Sequence, residues 1–345
     1  MSPSSLLKRY RGDQRPRWGP DRIGINWGSN ERDAETADVL RTMVQCGFKW
    51  HRITISWEVI ETADNTYSWT TYDNVVGINA ATGGTQDPPT GLQKAGANIL
   101  ASVGFTPAWA RVAGTIFDPP TVMTTFSDFM TVLVNRYKTQ IKYWEIWNEP
   151  DLPSQFYSLG TAAQAAASYA EMLSRCYDAI KAEDPTAKVV MGGLALDGTG
   201  IRSTFLTDVL DNALFPCVGK FDIMNWHQYG TKGEGSVDNT AIRAALLARD
   251  IDVPIWLTEV GYGSAATNPP QDQTGYQAGA PSQAQWMREM LPFYLDQLQQ
   301  DKVFWFMARD DTASFGANYE THGLVTETTH VPKISFEEMQ RLLRD

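Results

Sequence analysis

Two glutamates stand at the ends of short apolar runs, and their type and placement suit acid–base or nucleophilic work. The first closes Tyr143-Trp144-Glu145-Ile146-Trp147-Asn148-Glu149-Pro150; the second closes Pro254-Ile255-Trp256-Leu257-Thr258-Glu259-Val260-Gly261. A charged group after a buried strand costs free energy unless it is paired or used. Either glutamate alone reads equally well as a helix cap or an arginine partner. Two of them facing one cleft are what cleavage of a glycosidic bond needs. One protonates the leaving oxygen while the other attacks the anomeric carbon or activates water.

The elements that must position them are legible as a repeated rhythm from about Trp18 onward: a β-branched or aromatic run, a polar stretch, then an amphipathic segment. That rhythm is the mark of βα units and a parallel sheet. The runs predict eight strands, at Arg22–Trp27, Trp50–Trp57, Ala97–Gly104, Ile141–Trp147, Lys188–Gly192, Asp222–Tyr229, Pro254–Glu259 and Val303–Ala308. Helices are predicted at Ala34–Cys46, Thr121–Lys138, Thr161–Ala182, Arg202–Leu214, Asp238–Arg249, Ser282–Gln300 and Ser335–Leu342, with a less distinct one between Tyr72 and Gly96. The pattern predicts a single α/β (β/α)8 TIM barrel over residues 18–345, preceded by an N-terminal extension of residues 1–17. A doubly wound open sheet is the competitor. The long loops follow strands 2, 3, 7 and 8, where a barrel builds its site at the carboxyl ends of its strands. On a regular strand 145, 147 and 149 share a face, so Asn148 joins Glu149 in the mouth only if the backbone bulges there. A bulge is therefore expected.

Other polar residues fall near the same mouth. Asn225, His227 and Tyr229 alternate on the sixth strand and so share one face. His227 alone reads as a core histidine; the alternation turns it towards the site, since three polar groups on one face need partners. Arg52, inside the second strand, is a buried cation needing an anion. Trp305 on the eighth strand, and Trp57, Trp109 and Trp27 near strand ends, read either as core or as flat platforms for sugar stacking. Asp310 and Asp311 read as solvated loop charges or hydroxyl binders.

Asn148-Glu149-Pro150 at the fourth strand end, with Thr258-Glu259 at the seventh, resembles clan A of the glycoside hydrolases, the retaining 4/7 barrels. The resemblance runs from Trp18 to near the end of the chain. It implies Glu149 as general acid/base and Glu259 as nucleophile, with Asn148 on the substrate 2-hydroxyl and Arg52 helping to keep the nucleophile ionised. It also implies that His227 and Tyr229 contact sugar and nucleophile, and that Trp305 stacks on a sugar. Segments Trp50–Asp73, Gly104–Arg111 and Tyr143–Pro150 are most similar to family 39 and its relatives. Two departures stand out: no β-sandwich follows the last helix, and Phe105-Thr106-Pro107-Ala108-Trp109 occupies the place of the clan's frequent histidine after strand three.

Composition excludes rival classes. Twenty-nine Lys and Arg against 40 Asp and Glu give a formal charge of −11, with no basic run, so nucleic acid is not expected as a partner. A hydrophobic share of 43% fits a large core. The three cysteines, Cys46, Cys176 and Cys217, form no Cys-x-x-Cys and read as buried thiols. No apolar stretch is long enough for a membrane span, no signal-peptide core is seen, and compartment and oligomeric state are not legible. Four histidines without His-x-His or His-Glu-x-x-His argue against a metal-dependent hydrolase, and no Gly-rich phosphate loop or Gly-x-Ser-x-Gly is present, so neither cofactor nor metal is expected. The remaining alternative is a carbohydrate-binding barrel without catalysis, although both carboxylates are in place.

Overall fold

A computed structural model describes residues 18–27, 36–78, 91–94, 96–111, 114–158, 160–196, 204–264, 283–311, 321–327, 329 and 331–344. The extension expected over residues 1–17, the Ala34 and Arg202 helix starts, and most of the loop after the seventh strand lie outside them. Eight parallel strands close into a barrel: β1 (Ile23–Asn26), β2 (Trp50–Ser56), β3 (Asn98–Gly104), β4 (Tyr143–Asn148), β5 (Lys188–Ala195), β6 (Met224–His227), β7 (Ile255–Val260) and β8 (Lys302–Phe306), with β8 pairing β1. Helices α1 (Thr36–Cys46), α2 (Thr70–Val76), α3 (Thr124–Tyr137), α4 (Ala162–Glu183), α5 (Phe205–Leu210), α6 (Lys232–Leu247), α7 (Gln283–Pro292) and α8 (Ile334–Arg344) lie between and after the strands. The (β/α)8 expectation holds, and the open sheet is excluded by the β1–β8 pairing.

Local chemistry explains where the helices differ from expectation. Thr231 accepts from the Glu234 amide while the Glu234 carboxylate takes the Thr231 amide, so α6 starts at Lys232 rather than Asp238. The capping box outweighs the unfavourable glycines 233 and 235 in the first turn. Pro292 ends the α-helical run of α7, and a π-helical turn over Phe293–Gln297 follows. A short antiparallel hairpin, Glu61–Ala63 with Thr66–Tyr67, was not legible in the sequence.

Strand alternation sorts the side chains into two layers. Ile53, Ile55, Trp144, Ile146, Trp226, Leu257 and Trp305 point outward into the main core beneath the helices. Inside, Trp50, Leu100, Val190, Ile223, Trp256 and Phe304 fill the lower barrel, with Trp50 edge-on to Trp256 at 5.2 Å. This apolar floor leaves only the upper interior to polar residues. Trp256→Ala should therefore cost about 3–5 kcal/mol, the usual loss for a large buried aromatic. Urea unfolding measures it, and a loss below about 1 kcal/mol would mean the floor is not close-packed.

Candidate active site

The upper interior is organised by Arg52, whose side chain is 3% exposed. Its Nε and Nη2 donate to the two oxygens of Glu145 at 2.7 and 2.8 Å, its Nη1 to Glu259 Oε1 at 2.7 Å, and its Nη2 also to Asn148 Oδ1 at 2.8 Å. One guanidinium from β2 thus ties two residues of β4 to the end of β7. Its fork geometry suits this, and the paired anions offset the desolvation of the buried cation. Burial works against its charge, but Glu145 and Glu259 raise the guanidinium's affinity for its proton. Glu145 was not singled out in the sequence. The only signal was a second buried carboxylate on the strand face that also carries Tyr143.

The bulge expected at Asn148 is absent. β4 keeps one register with β5 from Tyr143↔Lys188 to Asn148↔Gly193. Instead, Trp147 and Glu149 take left-handed backbone angles, φ 69° and 48°. Trp147 consequently leaves the inward face for the outer core, and Asn148 turns in to Arg52. Such angles are uncommon for bulky residues and persist only where the surroundings fix them. Here Tyr169 of α4 donates to Ile146 O at 2.9 Å and accepts from the Gly192 amide at 2.6 Å. The Trp147 indole donates to Gln155 O at 2.7 Å. The irregularity lies on β7 instead. Trp226↔Leu257 gives way to His227↔Glu259, and Val303↔Leu257 to Trp305↔Val260, so β7 carries one extra residue against both neighbours. Through it both Thr258 and Glu259 reach the interior.

Glu259 has both oxygens held, Oε1 by Arg52 and Oε2 by the Tyr229 hydroxyl at 2.9 Å. Burial pushes this carboxyl up, but the charges of His227 and Arg52 and the hydrogen bonds from Tyr229 and Arg52 hold it below the ordinary carboxylate range. Glu149 Oε1 sits 2.9 Å from His227 Nδ1, which is also 3.7 Å from Glu259 Oε2. Burial disfavours a charged His227; Glu259, then the bond to Glu149, overcome this and raise its pKa. His227 fits because β5 has glycine beside it: a Cβ on Gly193 would lie 2.0 Å from Nε2. The side chains of Glu149 and Glu259 are 16% and 11% exposed, against 3% for Arg52 and 1% for His227. An incoming molecule therefore meets the two carboxylates first. Glu149, His227 and Glu259 offer donor atoms within 4.8 Å of one another. His227 Nδ1 and both Glu259 oxygens are, however, already engaged by Glu149, Arg52 and Tyr229, which suits protons and hydroxyls better than a cation.

The structure thus gathers Arg52, Asn148, Glu149, His227, Tyr229 and Glu259. Four of the candidate residues prove to be buried. Asn225 is fully buried beneath His227 and accepts from Thr258 Oγ1 at 2.8 Å, too deep to be a substrate contact. Trp305 points outward, buried edge-on against Trp286 at 5.8 Å with its indole on His322 O, so it presents no face to a sugar. Trp57 is wholly buried, stacked on Phe129 and bonded to Glu61 Oε2. Trp27 is likewise buried, its indole on His51 Nδ1. Trp109 is half-buried edge-on to Trp57, its indole on Glu61 O, and alone of these tryptophans keeps surface in solvent. The aromatic on β8 that reaches the mouth is Phe306, edge-on to Tyr229 at 6.1 Å. Strand parity from Phe304 would have found it. Asp310 is no solvated charge but pairs with Lys333 at 2.6 Å.

Because its folded carboxyl lies below the unfolded value near 4.5, Glu259 contributes stability that is present above about pH 4.5 and is lost as pH falls through the folded value. Arg52→Leu should cost about 3–5 kcal/mol, leaving buried carboxylates without their cation. It should also reverse the slope: a raised Glu259 stabilises the protein in acid and loses that contribution as pH rises. Urea midpoints between about pH 3 and pH 8 decide it, and an unchanged slope would contradict the Arg52–Glu259 linkage.

A family described as glycosyl hydrolase catalytic core matches residues 114–330. Among solved structures, a family 39 glycoside hydrolase from the gut symbiont Bacteroides cellulosilyticus WH2 is similar over 95% of this chain and 64% of its own, with TM-score 0.65 and 20% identity. A monomeric β-xylosidase from Caulobacter crescentus CB15 is similar over 97% and 69%, with TM-score 0.68 and 18% identity. A fungal β-1,4-galactanase is similar over 94% of this chain and 100% of its own, with TM-score 0.66 and 15% identity. The chain therefore spans under two thirds of the first of these, and at such identities the likeness is one of fold. The family match covers well over half of the sequence and includes Glu149, His227 and Glu259: the chain belongs to the glycosyl hydrolase catalytic core family.

Proposed function

We propose that the protein is a retaining O-glycosidase acting on an oligo- or polysaccharide by double displacement, with Glu259 as nucleophile and Glu149 as general acid/base. One observation carries the reading: carboxyl oxygens of Glu149 and Glu259 lie within 4.8 Å of each other. Retaining enzymes hold their carboxyls about 5–5.5 Å apart, whereas inverting ones need about 6.5–9.5 Å to admit water. In the first step a Glu259 oxygen bonds to the anomeric carbon as the glycosidic C–O bond breaks, and the leaving oxygen takes the proton of Glu149. In the second, Glu149 removes a proton from water, whose oxygen bonds to the same carbon and releases Glu259.

The surrounding residues divide this work. Arg52 and Tyr229 keep Glu259 ionised and aimed. Glu145 neutralises the remainder of the guanidinium, so the cation orients Glu259 without being drawn wholly to it. Forming the ester at Glu259 removes one negative charge from the cluster, which leaves Glu149 free to carry its own. Asn148, held by Arg52 beside Glu149, is suitably placed for a hydroxyl next to the anomeric carbon. Tyr229 keeps part of its ring in solvent, and Trp109 is the remaining platform candidate.

Glu259→Ala should abolish nearly all turnover with folding intact, and Glu149→Gln should lower kcat by about 10²–10⁴-fold on substrates with poor leaving groups. Mass spectrometry of products from β-glucans, xylans, mannans, galactans and arabinans measures this. Xylan and β-1,4-galactan come first, because similar folds belong to a β-xylosidase and a β-1,4-galactanase. Product stereochemistry read by NMR must show retention. Inversion, or full activity in Glu259→Ala, would defeat the assignment.

A further inference from the structure

Beneath Glu149 a chain of polar groups runs down the inside of the barrel. His227 Nδ1 faces Glu149 Oε1 at 2.9 Å, His227 Nε2 faces Thr258 Oγ1 at 3.1 Å, and the Thr258 hydroxyl donates to Asn225 Oδ1 at 2.8 Å. A hydroxyl has one proton to give. With that proton committed to Asn225, Thr258 Oγ1 can only accept from His227, so Nε2 must carry the N–H. A neutral His227 then presents a bare Nδ1 to Glu149.

We propose that Thr258 and Asn225 are positioning residues that lock His227 as its Nε2–H tautomer, so that the exchangeable proton of the acid/base lies on the single hydrogen bond between Glu149 and His227. The inference rests on the acid/base reading of Glu149 and extends it to two residues that touch neither substrate nor carboxylate. At rest the pair holds one proton, as Glu149 O–H donating to Nδ1 or as imidazolium Nδ1–H donating to the carboxylate. When the leaving oxygen takes that proton, a lone pair on Nδ1 is left facing an ionised Oε1. This repulsion favours recovery of a proton from water in the second step, and the count balances over the cycle. The opposite tautomer would place a permanent Nδ1–H against the carboxylate, which lowers its proton affinity, so that it is a weaker base and holds its proton only at lower pH.

No other described group competes for this role. From β7, Glu259 approaches Nδ1 at 3.7 Å but has its oxygens on Arg52 and Tyr229. From β2, Arg52 is turned to Glu145, Asn148 and Glu259, and Glu145 on β4 is held by Arg52 and the Gly193 amide. β5 contributes Gly193, which has no side chain. The Asn225 Nδ2 is buried without a partner among the described residues.

Nitrogen NMR of histidine-labelled protein, with the His227 signals assigned by their loss in His227→Asn, reads the tautomer directly and without substrate. Nε2 should stay protonated across the accessible pH range while Nδ1 changes; a neutral form protonated on Nδ1 would overturn the proposal. Thr258→Val removes the acceptor and frees the ring, so the alkaline limb of kcat/KM should move to lower pH by roughly one unit, a tenfold change in proton affinity. KM should hold, and Thr258→Ser should retain the original limb. An unmoved limb in a folded Thr258→Val enzyme also refutes the lock, and if that variant does not fold, the wild-type tautomer decides. Full activity in Glu149→Gln would instead refute the acid/base assignment, leaving the tautomer measurement to stand by itself.

Discussion

The buried guanidinium of Arg52 is the constraint on which the upper barrel depends. Its bonds run to Glu145 and Asn148 on β4 and to Glu259 on β7, linking strands that lie on different sides of the barrel. Removing it would leave several buried carboxylates facing one another, which is why no neighbouring residue can be considered apart from it. The raised proton affinity of His227 comes from Glu259 first and then Glu149, which together overcome its burial and the opposing charge of Arg52. One ion network thus keeps Glu259 charged and raises the proton affinity of the histidine beside Glu149.

Bringing that many polar groups to one mouth is more than regular strands allow, since alternation sends every second side chain outward. The chain departs from regularity twice, by different means. On β4, left-handed angles at Trp147 and Glu149 exchange an inward position for an outward one without disturbing register. On β7, an extra residue lets Thr258 and Glu259 both face inward. The first places Asn148 beside Glu149, and the second places Glu259 directly after Thr258, which bonds His227. Both departures fall at the carboxyl ends of strands, where the loops leave the ladder open.

Strand rhythm made the barrel legible, and the glutamates at the ends of β4 and β7 made the core of the site legible, because a charge after an apolar run has few structural uses. His227 and Tyr229 followed from alternation, and Arg52 from being a cation inside a strand. What alternation could not reveal was its own failure: the rule that put 145, 147 and 149 on one face hid both the turn at Trp147 and the extra residue at Thr258. Glu145 was overlooked for a related reason, since a carboxylate in mid-strand looks like an ordinary ion partner until its arginine is seen to hold Glu259 as well.

The aromatic surplus is the other place where composition and geometry part. A protein with 12 tryptophans invites a reading in terms of sugar platforms. Yet Trp27, Trp57, Trp144, Trp147, Trp226, Trp286 and Trp305 are all fully buried, and Trp50 and Trp256 floor the barrel. Large side chains fill the space between eight strands and their helices efficiently, and each buried indole N–H that finds a carbonyl or carboxylate stiffens the wall around the cluster. Among the described residues, Asn148, Tyr229 and Trp109 keep part of their surface in solvent. Most of the tryptophan supports the walls that hold Arg52, Glu149 and Glu259 in register, and very little of it is left to meet a sugar.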